Sequence, residues 1–219
     1  MNFLFSSLGK KIQIALSGFL LCFFLLFHLI NNLTLIIGPQ IFNPMVEALE
    51  SIKPLIRIME FGLLMILLMH IVNAITLTIS NNKQKPSKYL VTPTKTSSIN
   101  SRTMIISGTI ILLFFIIHLK YLWYTYQTHN FKIDETYYDV ILRNEFGYLG
   151  HTPTAIFYVL AILFIAIHIK HGFQSALKTF GILEKSKFAF LYKIAIIFWA
   201  IIPALFILII LLIQFGYIK

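Results

Sequence analysis

The chain has 219 residues, of which 58% are hydrophobic and 12% are charged, and its mean hydropathy is +0.83. This composition excludes an ordinary water-soluble domain and indicates an integral membrane protein. The net charge of +10 does not indicate nucleic-acid binding, because the basic residues lie in the segments between apolar stretches. A single cysteine, Cys22, lies inside an apolar stretch, which excludes a framework of disulfides or cysteine-ligated metals.

Five apolar stretches are long enough to cross a bilayer as helices, since about 20 apolar residues span the hydrocarbon core. These predicted spans, numbered first to fifth, cover residues 12–37, 59–79, 104–126, 154–179 and 188–214. The segments between them are too short to form a soluble catalytic domain. The sequence therefore predicts an all-α integral membrane protein, with one domain over residues 1–219 that is a bundle of five transmembrane helices.

The charges between the spans predict the orientation of the bundle. Lysine and arginine residues precede the first span and fill the loops after the second and fourth spans, whereas the other two loops are acidic. Basic loops favour the cytoplasmic side of a membrane. We therefore expect a cytoplasmic N-terminus, with the first, third and fifth spans running outward.

Breaks in the helices are predicted at three places. Gly38-Pro39 is expected to end the first helix. The amphipathic segment that follows, up to about Met59, is predicted to be an interfacial helix interrupted at Pro54. Pro203 is expected to kink the fifth span.

Each of the first four spans contains one deeply placed histidine, and hydrocarbon penalises a polar side chain that has no partner. At 1.5 Å per residue, His28 and His118 lie about 24 Å and about 21 Å from the cytoplasmic ends of their helices. By the same arithmetic His70 and His168 lie at about 14 Å and about 17 Å. The sequence thus predicts an outer pair, His28 and His118, and an inner pair, His70 and His168.

Two neutral imidazoles that face each other across a helical bundle are the arrangement that holds a six-coordinate haem iron. Two such layers predict two haem sites stacked along the membrane normal and a function in electron transfer. For any one histidine the alternative is a hydrogen bond to a neighbouring helix or a place in a proton path. A zinc site would need three or four ligands at one depth, and the spans contain almost no carboxylates or thiols to supply them.

A short repeat accompanies the outer pair. Nine residues separate the dipeptide Ser17-Gly18 from His28, and nine separate Ser107-Gly108 from His118. Each glycine lies about 15 Å nearer the cytoplasm than that histidine, close to the inner layer. A backbone without a side chain at this depth would let a flat macrocycle approach.

The segments SGFLLCFFLLFHLINN in the first span and HIKHGFQSALKTFG in the fourth carry a family resemblance. With one histidine on each of four helices, the chain resembles the b558-type di-haem cytochrome b membrane anchor subunits of succinate dehydrogenases and fumarate reductases. The resemblance covers essentially the whole chain. It implies that His70 and His168 ligate the haem b nearer the cytoplasm, and that His28 and His118 ligate the distal one.

The resemblance also implies partners and a location. Members of this family anchor a flavoprotein subunit with covalent FAD and an iron–sulfur subunit in the bacterial cytoplasmic membrane. Dicarboxylate chemistry takes place on those partners, and the haems connect their electrons to quinone, usually menaquinone. Some relatives carry a glutamate two residues before the ligand in the fourth span as part of a proton route, and Ala166 stands at that position here.

Several polar residues are candidates for contacts with the cofactors. His171 is a rival to His168, although the family pattern places the ligand first, which leaves His171 as a neighbour of a propionate or of a quinone. Propionates need cations or hydroxyls, and the inner ends of the helices supply Gln13, Ser17, Arg102 and Lys178. An interfacial anchoring role is equally open for these four. The acids that could exchange protons with a quinone are Glu47, Glu50 and Glu60.

Two other functions are alternatives. Di-haem cytochromes b that anchor nitrate reductase or hydrogenase share the chemistry, but they commonly place two histidines on one helix. A transporter with a histidine proton relay would show discontinuous helices or more carboxylates within the membrane. The arrangement of one deeply placed histidine per span argues against the first alternative, and neither discontinuous helices nor additional carboxylates are evident for the second.

Overall fold

A computed structural model describes the backbone of residues 3–83, 96–182 and 188–219, and their side chains except in 82, 83 and 96–102. Within these ranges the chain is helical and contains no β-strand. The α-helices are α1 Ser7–Ile37, α2 Pro39–Ser51, α3 Lys53–Lys83, α4 Thr96–His118, α5 Tyr124–Thr128, α6 Tyr137–Leu142, α7 Thr152–Thr179, α8 Ala189–Ile196 and α9 Ile202–Gln214.

Five stretches in the described part are long and apolar enough to cross a membrane, which confirms the predicted number of spans and the all-helical class. They are Ser7–Ile37, Lys53–Asn81, Thr103–Thr128, Thr152–Thr179 and Ala189–Gln214. The first two helices begin five and six residues earlier than predicted, because polar first turns continue the helix beyond its apolar part. At the first of these, the Ser6 side chain accepts a hydrogen bond from the amide of Gly9 and caps α1. The cytoplasmic N-terminus and the single domain stay predictions.

The connection between α1 and α3 contains the predicted additional helix, α2. Gly38 ends α1 with a φ of 120°, a conformation that L side chains rarely adopt. The predicted interruption at Pro54 is wrong by two residues, since the break lies at Ile52. Pro54 instead occupies the first turn of α3, where its missing amide proton costs no helical hydrogen bond.

Two π-helical turns interrupt the long helices. Leu119–Trp123 joins α4 to α5 directly after His118, and Ile197–Ile201 joins α8 to α9. The second turn lies just before Pro203, whose ring would clash with the carbonyl group four residues earlier in a regular α-helix. The first has no proline nearby, and π turns of this kind are frequent at functional sites.

The helices pack as two pairs around a central contact. Helices α1 and α7 pack against each other in the middle, α3 packs on α1, α4 packs on α7, and α9 contacts both central helices. The described side chains of α3 include none that is buried, so α3 lies at the periphery of this bundle. Each of the two helix pairs, α1 with α3 and α4 with α7, therefore contains one helix that carries an outer histidine and one that carries an inner histidine.

Residues 129–151, here called the outer cap, close the end of the bundle nearer to His28 and His118. Helix α6 begins with a capping box formed by Thr136 and Asp139. Arg143 forms an ion pair with Glu135, and the two side chains are only 7% and 8% exposed. The guanidinium group of Arg143 also donates to the Tyr148 hydroxyl at 3.0 Å and to the carbonyl oxygen of Asn130 at 2.8 Å. One side chain thus fixes three parts of the cap.

We expect Arg143→Met to destabilise the outer cap by about 3 kcal/mol, because removing one partner of a buried ion pair leaves an uncompensated charge. Amide hydrogen exchange in residues 129–151 should measure the loss. Lys132→Met is the matched control, since the Lys132–Glu145 pair is exposed and is worth at most about 1 kcal/mol. Equal effects of the two variants on hydrogen exchange would contradict the conclusion that the buried Arg143–Glu135 pair stabilises the cap.

The same ion pair predicts a pH dependence of the cap. Arg143 holds the pKa of the Glu135 carboxyl below its ordinary value of 4.5. A lowered folded pKa stabilises the cap above the ordinary pKa, and this stabilisation is lost as the pH falls through the lowered value. We therefore expect acid to lower the protection factors of the cap amides, which are the exchange rates corrected for the intrinsic pH dependence, in the wild-type chain and to lower them less in Arg143→Met.

Candidate functional site

The four predicted histidines lie together in two pairs. The imidazole rings of His70 on α3 and His168 on α7 have centroids 6.4 Å apart, with 59° between their planes. The rings of His28 on α1 and His118 on α4 have centroids 5.7 Å apart and are perpendicular. The pairs inferred from depth are thus the pairs that the rings form in space. Their role as ligands stays a prediction.

The two spacings differ in how well they fit a shared iron. An imidazole nitrogen lies about 2.0 to 2.1 Å from a bound metal ion, with the ring centroid about 1.1 Å further, so two rings on opposite sides of one ion have centroids about 6.3 Å apart. The inner pair, at 6.4 Å, has this spacing. The outer pair is about 0.6 Å shorter, so its rings would have to separate to admit an iron.

Each histidine of the inner pair is hydrogen-bonded to a buried serine on the adjacent helix. The Oγ of Ser17 lies 2.9 Å from Nδ1 of His70, and the Oγ of Ser107 lies 3.1 Å from Nδ1 of His168. Both serines are almost completely buried, at 0% and 1% exposure. Histidines that bind a metal through one nitrogen nearly always have a hydrogen-bonding partner at the other nitrogen. The sequence made Ser17 a candidate for a propionate contact, which stays a prediction, and the structure adds the contact of its hydroxyl with His70.

The glycines that follow these serines lie beside the same rings. A Cβ added at Gly18 would lie 3.5 Å from Cε1 of His70, and one added at Gly108 would lie 3.8 Å from Cε1 of His168. Both distances are ordinary van der Waals contacts. Among the described atoms, nothing prevents an alanine at either position. That these glycines make room for a macrocycle stays a prediction.

The outer pair lies in an aromatic environment. His28 stacks on Phe24 at a centroid distance of 5.5 Å, and His118 stacks on Phe114 at 5.4 Å. Nδ1 of His118 is buried and has no hydrogen-bonding partner among the described residues. Nδ1 of His28 has only the amide nitrogen of Asn32, at 3.5 Å. The outer imidazoles thus lack the close polar partners of the inner ones. The other two rings around this pair belong to Phe206 and Tyr158.

The remaining predicted residues of the inner end lie in different surroundings. His171 is half-buried one turn beyond His168, and it is His168 whose ring pairs with His70. Lys178 is exposed in the last turn of α7. The side chain of Arg102 lies outside the described residues. Gln13 accepts a hydrogen bond from the amide of Asn73 at 2.9 Å, which links α1 to α3 below the inner pair.

Two of the three acids predicted for quinone chemistry, Glu50 and Glu60, are paired with donors at the outer end, and the third, Glu47, is exposed. Glu60 on α3 accepts hydrogen bonds from Nε1 of Trp123 at 2.9 Å, from the amide of Gln127 at 3.3 Å and from Arg57 at 2.9 Å. Glu50 pairs with Lys53 at 2.6 Å. Sequence reasoning missed that the π turn after His118 carries Trp123 to Glu60, because helical periodicity contains no signal for an extra residue in a turn.

A pair of histidines supplies two axial ligands, which is the number that a six-coordinate haem takes from a protein. In the part of the chain that the structure describes, no group of three or more His, Cys, Asp or Glu residues converges as a metal site. Comparisons with protein-family models, with curated proteins and with solved structures find no significant match for this chain. Its function is therefore inferred from the sequence pattern and from the geometry of its own residues.

Proposed function

We propose that this chain is a di-haem cytochrome b that anchors a succinate:quinone oxidoreductase, a succinate dehydrogenase or fumarate reductase, in the bacterial cytoplasmic membrane. The inner pair of histidines holds one haem b and the outer pair holds the other. The observation that carries this proposal is the inner pair, because its rings have the spacing of two imidazoles on one iron. The hydrogen bonds at Nδ1 of both rings also support it, since they leave Nε2 available on each.

The rise of the α-helix sets the distance between the two proposed haem sites. On α1, Ser17 contacts the inner pair and His28 belongs to the outer pair, and the 11 residue steps from one to the other correspond to about 16 Å along the helix. On α4, Ser107 and His118 repeat the same spacing. The two sites thus lie about half of a 30 Å hydrocarbon core apart, stacked along the bundle.

A haem iron with two imidazole ligands takes up and releases one electron at a time and offers no open position to a substrate. The aromatic rings around the outer pair give that site an apolar surrounding. In the proposed complex the iron–sulfur and FAD-containing partner subunits bind at the lysine-rich end of the bundle. Quinone, as menaquinone, binds at the other end, where Glu60 is the acid closest in sequence to the membrane core.

The purified chain is expected to show a reduced-minus-oxidised spectrum with b-type bands and about two haems per polypeptide, since each histidine pair supplies two axial ligands. Pyridine haemochrome absorbance, divided by protein concentration, measures this ratio. A folded preparation without haem would refute the proposal. Mass spectrometry of copurifying subunits then distinguishes succinate chemistry from nitrate or hydrogen chemistry.

Replacing one histidine of a pair should remove one haem and leave the other. We expect about one haem per chain in His70→Ala and in His168→Ala, with the outer haem retained, because both imidazoles of the outer site are untouched. His28→Ala and His118→Ala should retain the inner haem instead. His171→Ala is the control and should keep both, and loss of a haem in that variant alone would overturn the choice of His168 as ligand.

Alanine at the glycines tests whether a macrocycle occupies the space beside the inner pair. Gly18→Ala and Gly108→Ala place a methyl group at ordinary contact distance from the imidazole, so the fold should be unchanged. Binding of the inner haem should weaken while the outer haem stays. Gly172→Ala on α7 is a matched control, since an added Cβ there meets no described atom within 4 Å. Retention of both haems at full occupancy in the first two variants would contradict this role of the glycines.

A further inference from the structure

The two inner histidines receive the same kind of partner from the same kind of dipeptide. In the pair α1 with α3, Ser17-Gly18 lies against His70, and in the pair α4 with α7, Ser107-Gly108 lies against His168. In each case the serine Oγ is at Nδ1 and the glycine is at Cε1 of the same ring. The outer histidines have no equivalent serine among the described residues.

Each serine has one hydroxyl proton, for which backbone carbonyl oxygens compete with Nδ1 of the histidine. The Oγ of Ser17 lies 2.6 Å from the carbonyl oxygen of Gln13 and 3.1 Å from that of Ile14, and the Oγ of Ser107 lies 3.1 Å from that of Met104. If the hydroxyl donates to the carbonyl oxygen, Nδ1 of the histidine must carry a proton and donate it to Oγ. This arrangement makes two hydrogen bonds per serine. Donation by the hydroxyl to a bare Nδ1 makes only one, and it leaves a proton on Nε2.

We infer that Ser17 and Ser107 are positioning residues that fix the tautomer of the inner pair, with the proton on Nδ1 and a free lone pair on Nε2, and that they lower the reduction potential of the inner haem. This inference rests on the proposed function. A hydrogen bond from Nδ1–H to an acceptor makes the opposite nitrogen a more basic ligand. A more basic imidazole stabilises the ferric form more than the ferrous form, so the serines favour the oxidised state of that site.

The outer pair of histidines lacks the serine contacts and serves as the comparison for the inner pair. Among the described residues Nδ1 of His118 has no hydrogen-bonding partner, and Nδ1 of His28 has one long contact, with the amide group of Asn32 at 3.5 Å. Neither outer ring thus donates a short hydrogen bond through Nδ1. A change at the serines should therefore act on one of the two haems only.

The experiment is a redox titration of Ser17→Ala and Ser107→Ala in the haem-loaded protein, within its complex. Loss of the hydrogen-bonding partner of a metal-binding histidine typically lowers the affinity for the metal by about 10-fold to 100-fold. A tenfold loss confined to the ferric form raises the midpoint potential by about 59 mV. We expect a rise of this order at one haem and an unchanged potential at the other. Ser17→Thr, which keeps a hydroxyl, should restore the wild-type value. Loss of the inner haem in Ser17→Ala that Ser17→Thr reverses would also support the inference.

The matched control is Thr109→Ala on α4, because the Thr109 hydroxyl bonds to a backbone carbonyl oxygen at 3.0 Å on an exposed face. It should shift neither potential. Unchanged potentials in both serine variants, or equal shifts at both haems, would overturn the inference while leaving the proposed function intact.

If the wild-type chain folds without haem, the proposed function fails, and the part of the inference that concerns the reduction potential fails with it. Nitrogen-15 NMR of the histidine-labelled chain then decides the tautomer directly. A proton on Nδ1 of His70 and His168 that is lost or redistributed in the serine variants supports the assignment. A proton on Nε2 in the wild-type chain overturns it.

Discussion

The cost of holding an imidazole inside hydrocarbon is the constraint on which the arrangement of this bundle depends. An unpartnered polar side chain is unstable there, and within the inner layer the polar partner comes from the adjacent helix. Ser17 supplies it to His70 across the contact of α1 with α3, and Ser107 supplies it to His168 across the contact of α4 with α7. The packing of each helix pair is thus coupled to the placement of one histidine.

The inner and outer histidines differ in what stabilises their imidazole rings within the bundle. The inner rings are hydrogen-bonded and spaced at 6.4 Å, whereas the outer rings are stacked on phenylalanines and meet edge to face at 5.7 Å. Aromatic contacts stabilise a neutral imidazole without satisfying Nδ1, which agrees with the unpartnered Nδ1 of His118. The outer layer therefore leaves Nδ1 of His118 without a hydrogen-bonding partner among the described residues, and its two rings lie closer together than those of the inner layer.

Rigid helix geometry explains how much the sequence predicted. A fixed rise per residue makes depth readable from residue number, and depth alone assigned His28 to His118 and His70 to His168. The number of spans followed from apolar length. The break at Ile52, the π turn after His118 and the contacts of the outer cap were not predictable, because each depends on tertiary packing that leaves no periodic signal. The serine contacts were missed for a related reason, since depth does not reveal the direction of a side chain around its helix.

The Ser-Gly dipeptide supplies a hydroxyl to the imidazole of the neighbouring helix and keeps the two backbones close together. A hydroxyl reaches the imidazole of the neighbouring helix only if the two backbones approach closely, and small residues are what permit such approach in membrane helices. Serine satisfies Nδ1 and glycine removes the side chain that would stand beside Cε1 of the same ring. Because α1 and α4 both carry the dipeptide, the two inner rings have matching surroundings on both counts. A ligand held between them would meet equivalent imidazoles on its two faces. The outer rings match in their stacking on Phe24 and Phe114, but their Nδ1 atoms differ, since that of His28 has the amide of Asn32 at 3.5 Å and that of His118 has no partner among the described residues.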